Sequence, residues 1–174
     1  MSENNSFSQS NALFHAIGKT VVRFQQVEQS LSEYLALLLR MREKDDQYLV
    51  SAAMSFKQKA DLLAELFDRR TERSSHLPEI DILKVRKALE AAEKYRNRVV
   101  HSFYAVECSD LNKWLRIKGS LRGRAGFSLN TTESNIKIFE ECNEALSVIR
   151  DWAINNMQDI CEATDVINKN MNGN

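Results

Sequence analysis

Proline and glycine are scarce in this sequence, with one Pro and five Gly in 174 residues. Because these residues form many of the tight turns of β-rich folds, their scarcity argues against a β-sandwich or a β-barrel. Leu, Ala, Glu, Lys and Arg are common instead, and these residues have high helix propensity. The composition therefore predicts an all-α fold.

Cysteine is also scarce, and Cys108, Cys142 and Cys161 are far apart in the chain. Three such residues form neither a disulfide framework nor a paired metal-ligand motif. A di-iron bundle would need inward-facing Glu-x-x-His pairs, and the sequence contains none. We therefore expect reduced cysteines, no metal and no cofactor.

The chain lacks a net charge, since 24 Lys and Arg balance 24 Asp and Glu. No global field draws it to nucleic acid or to an anionic membrane, so any such binding has to be local. The polar segment Met1 to Ser10 has no signal-peptide pattern, and no apolar run approaches the roughly 18 residues of a membrane span. A cytoplasmic protein that binds no membrane is the expectation.

Apolar residues recur at spacings of three and four in several stretches, which is the pattern of amphipathic helices. The first predicted helix runs from about Asn11 to Arg42. A second helical arm, in one or two pieces, reaches Ala53 and then Phe67. Two further helices run from about Glu79 to Phe103 and from about Asn130 to Asp165. The sequence thus predicts four to five helices.

Capping and loop signals punctuate these helices. Ser55 with Gln58, and Asn130 with Glu133, have the spacing of a capping box at a helix start. The segment from Thr71 to Pro78 contains two adjacent serines and the single proline, so it predicts a loop.

Between Tyr104 and Leu129 the helical periodicity lapses, and three glycines follow a short apolar run. This segment predicts a short β-hairpin or an irregular insertion before the last long helix. The whole chain, residues 1–174, is therefore expected to form one up-and-down helical bundle, with flexible tails at 1–10 and 166–174.

A helical wheel places one charged residue at the centre of each of two apolar stripes. Glu28 lies in the stripe of the first helix, and Arg96 lies in the stripe of the helix that ends near Phe103. An unpaired buried charge costs several kcal/mol, whereas a bidentate Arg–carboxylate pair offsets much of that cost. We expect Glu28 and Arg96 to contact each other, a pair that could equally do no more than fix the register of two helices.

A polar row lies beside the stripe that contains Arg96. Glu90, Asn97, His101 and Tyr104 follow at spacings of seven, four and three, so they share one helix face. The Asn97 amide could bond one imidazole nitrogen of His101, which leaves the other nitrogen free for proton transfer. The alternative is a solvated polar face that ends in a histidine.

The stretch Arg96-Asn97-Arg98-Val99-Val100-His101 resembles the motif of the HEPN domain (higher eukaryotes and prokaryotes nucleotide-binding). The shared features are an Arg, a polar residue directly after it, a His five positions after the Arg, and a place near the end of a long helix in an all-α bundle. The resemblance implies a homodimer in which two such motifs converge on one cleft and cleave RNA without metal. Many toxin and phage-defence ribonucleases work in this way.

The resemblance also implies a role for each residue of the motif. His101 would act as general acid or base on the ribose 2′-hydroxyl, Arg96 would stabilise the phosphate, and Asn97 would orient one of them. HEPN toxins that are silenced by nucleotidylation carry a Tyr two residues after the His, where this chain has Phe103. HEPN domains can also lose catalysis and persist as binding or dimerisation modules.

A basic stretch with interleaved aromatic residues follows the motif, and it consists of Lys113, Arg116, Lys118, Arg122 and Arg124 with Trp114 and Phe127 between or after them. Such a pattern can track an RNA backbone and stack a base, or it can be the charged edge of a solvated hairpin. The predicted substrate-binding residues are Arg98, Tyr104, Lys113, Trp114, Arg116, Arg122 and Arg124.

Two functions follow from these residues. The first is a metal-independent endoribonuclease, the toxin or effector of a toxin–antitoxin or phage-defence system, with RNA and possible antitoxin or regulator proteins as partners. The second is a non-catalytic helical dimer that binds nucleotide, RNA or a protein.

Overall fold

The fold is mostly helical, with a small antiparallel sheet inserted after the fourth helix. The computed structural model describes residues 3–71, 80–107, 110–121 and 127–172. In chain order the elements are α1 Glu3–Leu39, α2 Lys44–Ala53, α3 Phe56–Thr71, α4 Ile82–Val100, β1 Phe103–Glu107, β2 Asp110–Leu121, β3 Phe127–Glu133, α5 Ile136–Arg150 and α6 Met157–Asn172. The predicted helical majority is confirmed, whereas a strictly all-α bundle is wrong.

The ends of the described chain are helical. Helix α1 begins at Glu3 and α6 ends at Asn172, so helices extend into the segments 1–10 and 166–174 that we expected to be flexible tails. Among the described helices, none is both long enough and apolar enough to cross a membrane.

The last long helix of the sequence prediction is two helices. Asn130 and Glu133 lie in β3, and the N-cap of α5 is Asn135, whose side chain accepts a hydrogen bond from the Lys137 N–H at 2.9 Å. The helical pattern continues across the break between α5 and α6 because Trp152, in the connecting turn, is buried in the same core.

The three strands form a sheet in the order β1-β2-β3, so the predicted hairpin gains a third strand. Tyr104 is aligned with Arg116, and Phe103 with Ile117. Side chains alternate between the two faces of a strand. The face that bears Tyr104 turns toward the helices, where its ring lies 6.3 Å from that of Phe139, and the face that bears Phe103 turns outward.

Helix α4 lies at the centre of the fold and contacts α1, α3, α5 and α6. Its buried side chains are Ile82, Val85, Ala88, Leu89, Ala91, Ala92, Tyr95 and Val99. The stripe therefore passes through Tyr95 and Val99, and Arg96 lies half-buried at its edge rather than at its centre.

The buried charge on α1 has a partner that we did not expect. The carboxylate of Glu28 accepts a hydrogen bond from Lys59 Nζ of α3 at 2.8 Å, and the same Nζ donates to Ser51 Oγ at 3.1 Å. The expected contact between Glu28 and Arg96 is therefore wrong. The need for a counter-charge was real, but α3 supplies the cation.

The Lys59–Glu28 pair predicts an asymmetric response to mutation. Glu28→Ala should cost about 3–5 kcal/mol, because it leaves a buried ammonium without its counter-charge. Lys59→Met should cost less, because the Glu28 side chain is 27% exposed and keeps its contact with water. Urea unfolding of both variants measures the difference, and a larger loss for Lys59→Met would contradict this account.

Candidate functional site

The three residues of the HEPN-like motif lie at the C-terminal end of α4. His101 is the C-cap, and its backbone N–H donates to the Asn97 carbonyl at 3.1 Å. We expected His101 to be at least partly exposed in a cleft, and it is exposed. It lies at the surface and not in the pocket described below.

Asn97 binds Arg96 and not His101. Nη1 of Arg96 donates to Asn97 Oδ1 at 2.8 Å, so the predicted amide–imidazole contact is wrong. One reason is that His101 has left the helical conformation, with φ −99° and ψ 26°, and its side chain no longer continues the row one turn above Asn97. The other is that a guanidinium is a stronger donor than a neutral group.

Arg96 is held over an aromatic ring. Its guanidinium carbon lies 5.4 Å from the centre of the Phe24 ring on α1, within the range of a cation–π contact. Its Nε is buried and has no hydrogen-bond partner among the described residues. The guanidinium of Arg96 thus contacts Phe24 and Asn97 instead of the expected carboxylate of Glu28.

Three of the predicted substrate-binding residues converge on one pocket. Arg98 of α4, Tyr104 of β1 and Arg116 of β2 line a small cavity of about 40 Å³, partly open to solvent, between the end of α4, the sheet and the start of α5. Tyr104 Oη donates to the Val99 carbonyl at 3.2 Å, and Arg116 donates to Thr132 Oγ1 at 2.7 Å.

Burial shapes the electrostatics of this pocket. It lowers the pKa of Arg98, and together with the nearby charge of Arg98 it lowers the pKa of Arg116. It also raises the pKa of Tyr104 to about 12, against the opposing effect of Arg116 and Arg98. Two cations therefore lie close together where solvation is reduced.

The other predicted substrate-binding residues do not join them. The Lys113 ammonium lies 2.9 Å from a carboxylate oxygen of Glu107 and 3.7 Å from one of Glu133, on the outward face. The Trp114 ring packs edge-on against Phe14 of α1, with centroids 6.1 Å apart. The basic run follows one strand, so its side chains alternate between faces. Arg122 and Arg124 lie outside the described residues.

Two residues with structural or chemical importance escaped the sequence analysis. Lys59 carried a signal, because Phe56, Lys59, Ala60, Leu63 and Phe67 share helical spacing and place a cation in an apolar stripe. Ser134, in the turn between β3 and α5, carried none. Its hydroxyl is buried without a partner in the described part of the chain, and it lines the same pocket as Arg116.

Compared with protein-family models, curated proteins and solved structures, the chain has no match. The HEPN resemblance therefore rests on the six residues at the end of α4 and on the helical layout. In the described ranges, no three His, Cys, Asp or Glu side chains are grouped as metal ligands.

Tyr104 predicts a pH dependence of stability. Its pKa is about 12 in the folded chain, against the ordinary value of 10.0, so the folded state holds the phenolic proton more tightly than the unfolded state. Its contribution is present below about pH 10 and is lost as the pH rises toward 12. Tyr104→Phe should reduce this alkaline loss, by on the order of 1–2 kcal/mol.

Urea unfolding of the parent chain and of Tyr104→Phe, at neutral and at alkaline pH, measures this effect. Part of the alkaline loss should persist in the variant, because burial also raises the pKa values of Tyr95 and Cys142. Identical pH profiles for the two proteins would mean that Tyr104 does not contribute.

Proposed function

We propose that this chain is a HEPN-type, metal-independent endoribonuclease that acts as the toxin or effector of a toxin–antitoxin or phage-defence system. The observation that carries the proposal is the position of His101, exposed at the end of α4 and five residues after Arg96. An exposed imidazole can reach the 2′-hydroxyl of an RNA strand, and a histidine can exchange protons near neutral pH.

The Arg96–Asn97 pair supports the proposed stabilisation of the phosphate during cleavage. Asn97 Oδ1 and the ring of Phe24 hold the guanidinium in one orientation. A preorganised cation stabilises negative charge that develops on a phosphate better than a freely rotating one does. In this proposal Asn97 is a positioning residue for Arg96, and His101 is the proton-transfer group.

The outward face of the sheet supports a homodimer. Phe103 is 75% exposed and Leu129 is 63% exposed, and Leu115 and Ile117 lie on the same face by register. Charged side chains of Lys113 and Glu133 border these residues on the same face, and exposed apolar side chains with a polar rim are characteristic of interaction sites. The face adjoins His101, so a second copy docked on it would bring two motifs near one axis.

The second candidate function is a non-catalytic dimer that binds nucleotide, RNA or a protein. The observation that favours it is the bond between Asn97 and Arg96, which leaves the imidazole of His101 without a partner among the described residues. A histidine without an orienting partner is a weaker acid–base catalyst, because neither its tautomer nor its direction is set.

The proposal predicts that His101→Ala abolishes RNA cleavage. The purified chain is incubated with total RNA in the presence of EDTA, and the variant should cut about 10²–10⁴-fold more slowly, as expected for loss of an acid–base group. His101 is exposed, so thermal unfolding of the variant should match that of the parent.

His15→Ala is the matched control, because it removes an exposed histidine from α1. It should cut RNA at the parent rate. If His101→Ala cuts as fast as the parent, catalysis by this residue is ruled out. If the parent chain binds RNA in a filter-binding assay but does not cleave it, the non-catalytic binding dimer is the better description.

The dimer proposal makes a separate prediction. Phe103→Asp should shift the chain from dimer to monomer, because a charge at the centre of an apolar interface has to be desolvated there. Light scattering coupled to size exclusion at micromolar concentration measures the mass. Ile154→Asp is the control, since Ile154 is 82% exposed but lies in the turn between α5 and α6. A parent that is already a monomer would contradict the prediction.

A further inference from the structure

The pocket between α4, the sheet and α5 contains two positive charges, and neither is paired with an acid of the described residues. The guanidinium groups of Arg98 and Arg116 form no ion pair with a carboxylate of the described residues. Burial is the main cause that lowers the pKa of each. Neutral oxygens hold them instead, since Arg98 Nη1 donates to the Met171 carbonyl and Arg116 Nη2 to Thr132. Two like charges in a partly desolvated place favour the arrival of an anion.

Several hydrogen-bond donors of this pocket are unused. Nε of Arg116 and the hydroxyl of Ser134 are both buried, and neither has a partner in the described part of the chain. A buried polar group without a partner costs free energy. Both atoms are closed to solvent in this structure, so an oxygen of a bound anion reaches them only after a small shift of these side chains, and it would then satisfy both groups.

The first turn of α5 completes the site. Ser134 and Asn135, which line the pocket, lead directly into this 15-residue helix. The Lys137 and Ile138 N–H groups of this turn already donate to Asn135, so the helix start contributes mainly its partial positive charge, which favours phosphate. Here the helix start adds to two arginines and two unused donors, so the site does not rest on the helix alone.

One acidic residue, Glu133, also lines the pocket, but its side chain lies on the outward face of the sheet. Glu133 lies in β3 beside Thr132, but its side chain is 65% exposed and is 3.7 Å from the Lys113 ammonium. The two arginines therefore dominate the pocket.

We propose that this pocket binds a phosphate monoester, with Arg98 and Arg116 neutralising the dianion and with Arg116 Nε and Ser134 Oγ donating hydrogen bonds to it. The site is distinct from the His101 surface and goes beyond the proposed nuclease. The same chemistry is offered by a mononucleotide and by the 5′-phosphate of an RNA end, and the test below distinguishes these two sources.

Calorimetric titration of the full chain with inorganic phosphate and with AMP tests the site. Binding should be saturable and should weaken at least about tenfold in Arg116→Gln, because a charged hydrogen-bond partner is lost. Lys118→Gln is the matched control. Lys118 follows Arg116 by two residues on the same face of β2 and is exposed, so its loss should leave binding unchanged.

Ser134→Ala separates ligand binding from a structural role of the pocket. The hydroxyl has no partner in the described chain, so its removal should leave unfolding unchanged or raise stability slightly, yet it should weaken phosphate binding severalfold. This variant keeps the proposal testable if Arg116→Gln fails to fold.

The two sources are compared with a pair of RNA oligonucleotides, one with a 5′-phosphate and one with a 5′-hydroxyl. A preference for the phosphorylated oligonucleotide that disappears in Arg116→Gln identifies an RNA end, and tight binding of AMP alone identifies a nucleotide. The proposal is overturned if no ligand binds saturably, or if Lys118→Gln weakens binding as much as Arg116→Gln does. His101→Ala should bind phosphate like the parent chain. The phosphate site can therefore be confirmed or overturned even if the nuclease proposal fails.

Discussion

The burial of α4 among four other helices is the constraint on which the rest of the structure depends. Its apolar side chains face α1, α3, α5 and α6, and this packing fixes both the direction and the rotation of the helix. Because Arg96, Arg98 and His101 follow one another on its last turns, that rotation decides which of them faces the interior. Arg96 turns toward α1, Arg98 toward α6, and His101 toward solvent.

The interior accommodates its charges in three different ways. Lys59 has a carboxylate partner at 2.8 Å, and Arg96 has an aromatic ring and a side-chain amide. Within the described ranges, Arg98 and Arg116 bond to neutral oxygens alone, and the two cations repel each other. The first arrangement stabilises the fold, whereas the last leaves attraction for an anion unused, and that difference separates a structural ion pair from a candidate binding site.

The sheet divides the chemistry at the end of α4 between two surfaces. Its inner face, with Tyr104 and Arg116, closes one side of the phosphate pocket. Its outer face, with Phe103, presents apolar surface beside His101. Alternation of side chains along the strands is the reason that one short basic segment contributes to both surfaces. A nuclease with a separate phosphate site would hold RNA at the inner surface and cut it with His101 at the end of α4.

The sequence by itself determined that the chain is mostly helical, where most helices lie, and that a short β segment follows the fourth helix. These features are local, because helical periodicity and turn residues act over a few positions. It also indicated that Glu28 needs a counter-charge. Only the tertiary structure decided that Lys59 is the partner of Glu28, that Asn97 binds Arg96, and that Arg98 meets Arg116. Such choices depend on the crossing and rotation of whole helices against one another, and no periodicity within a single helix contains that information.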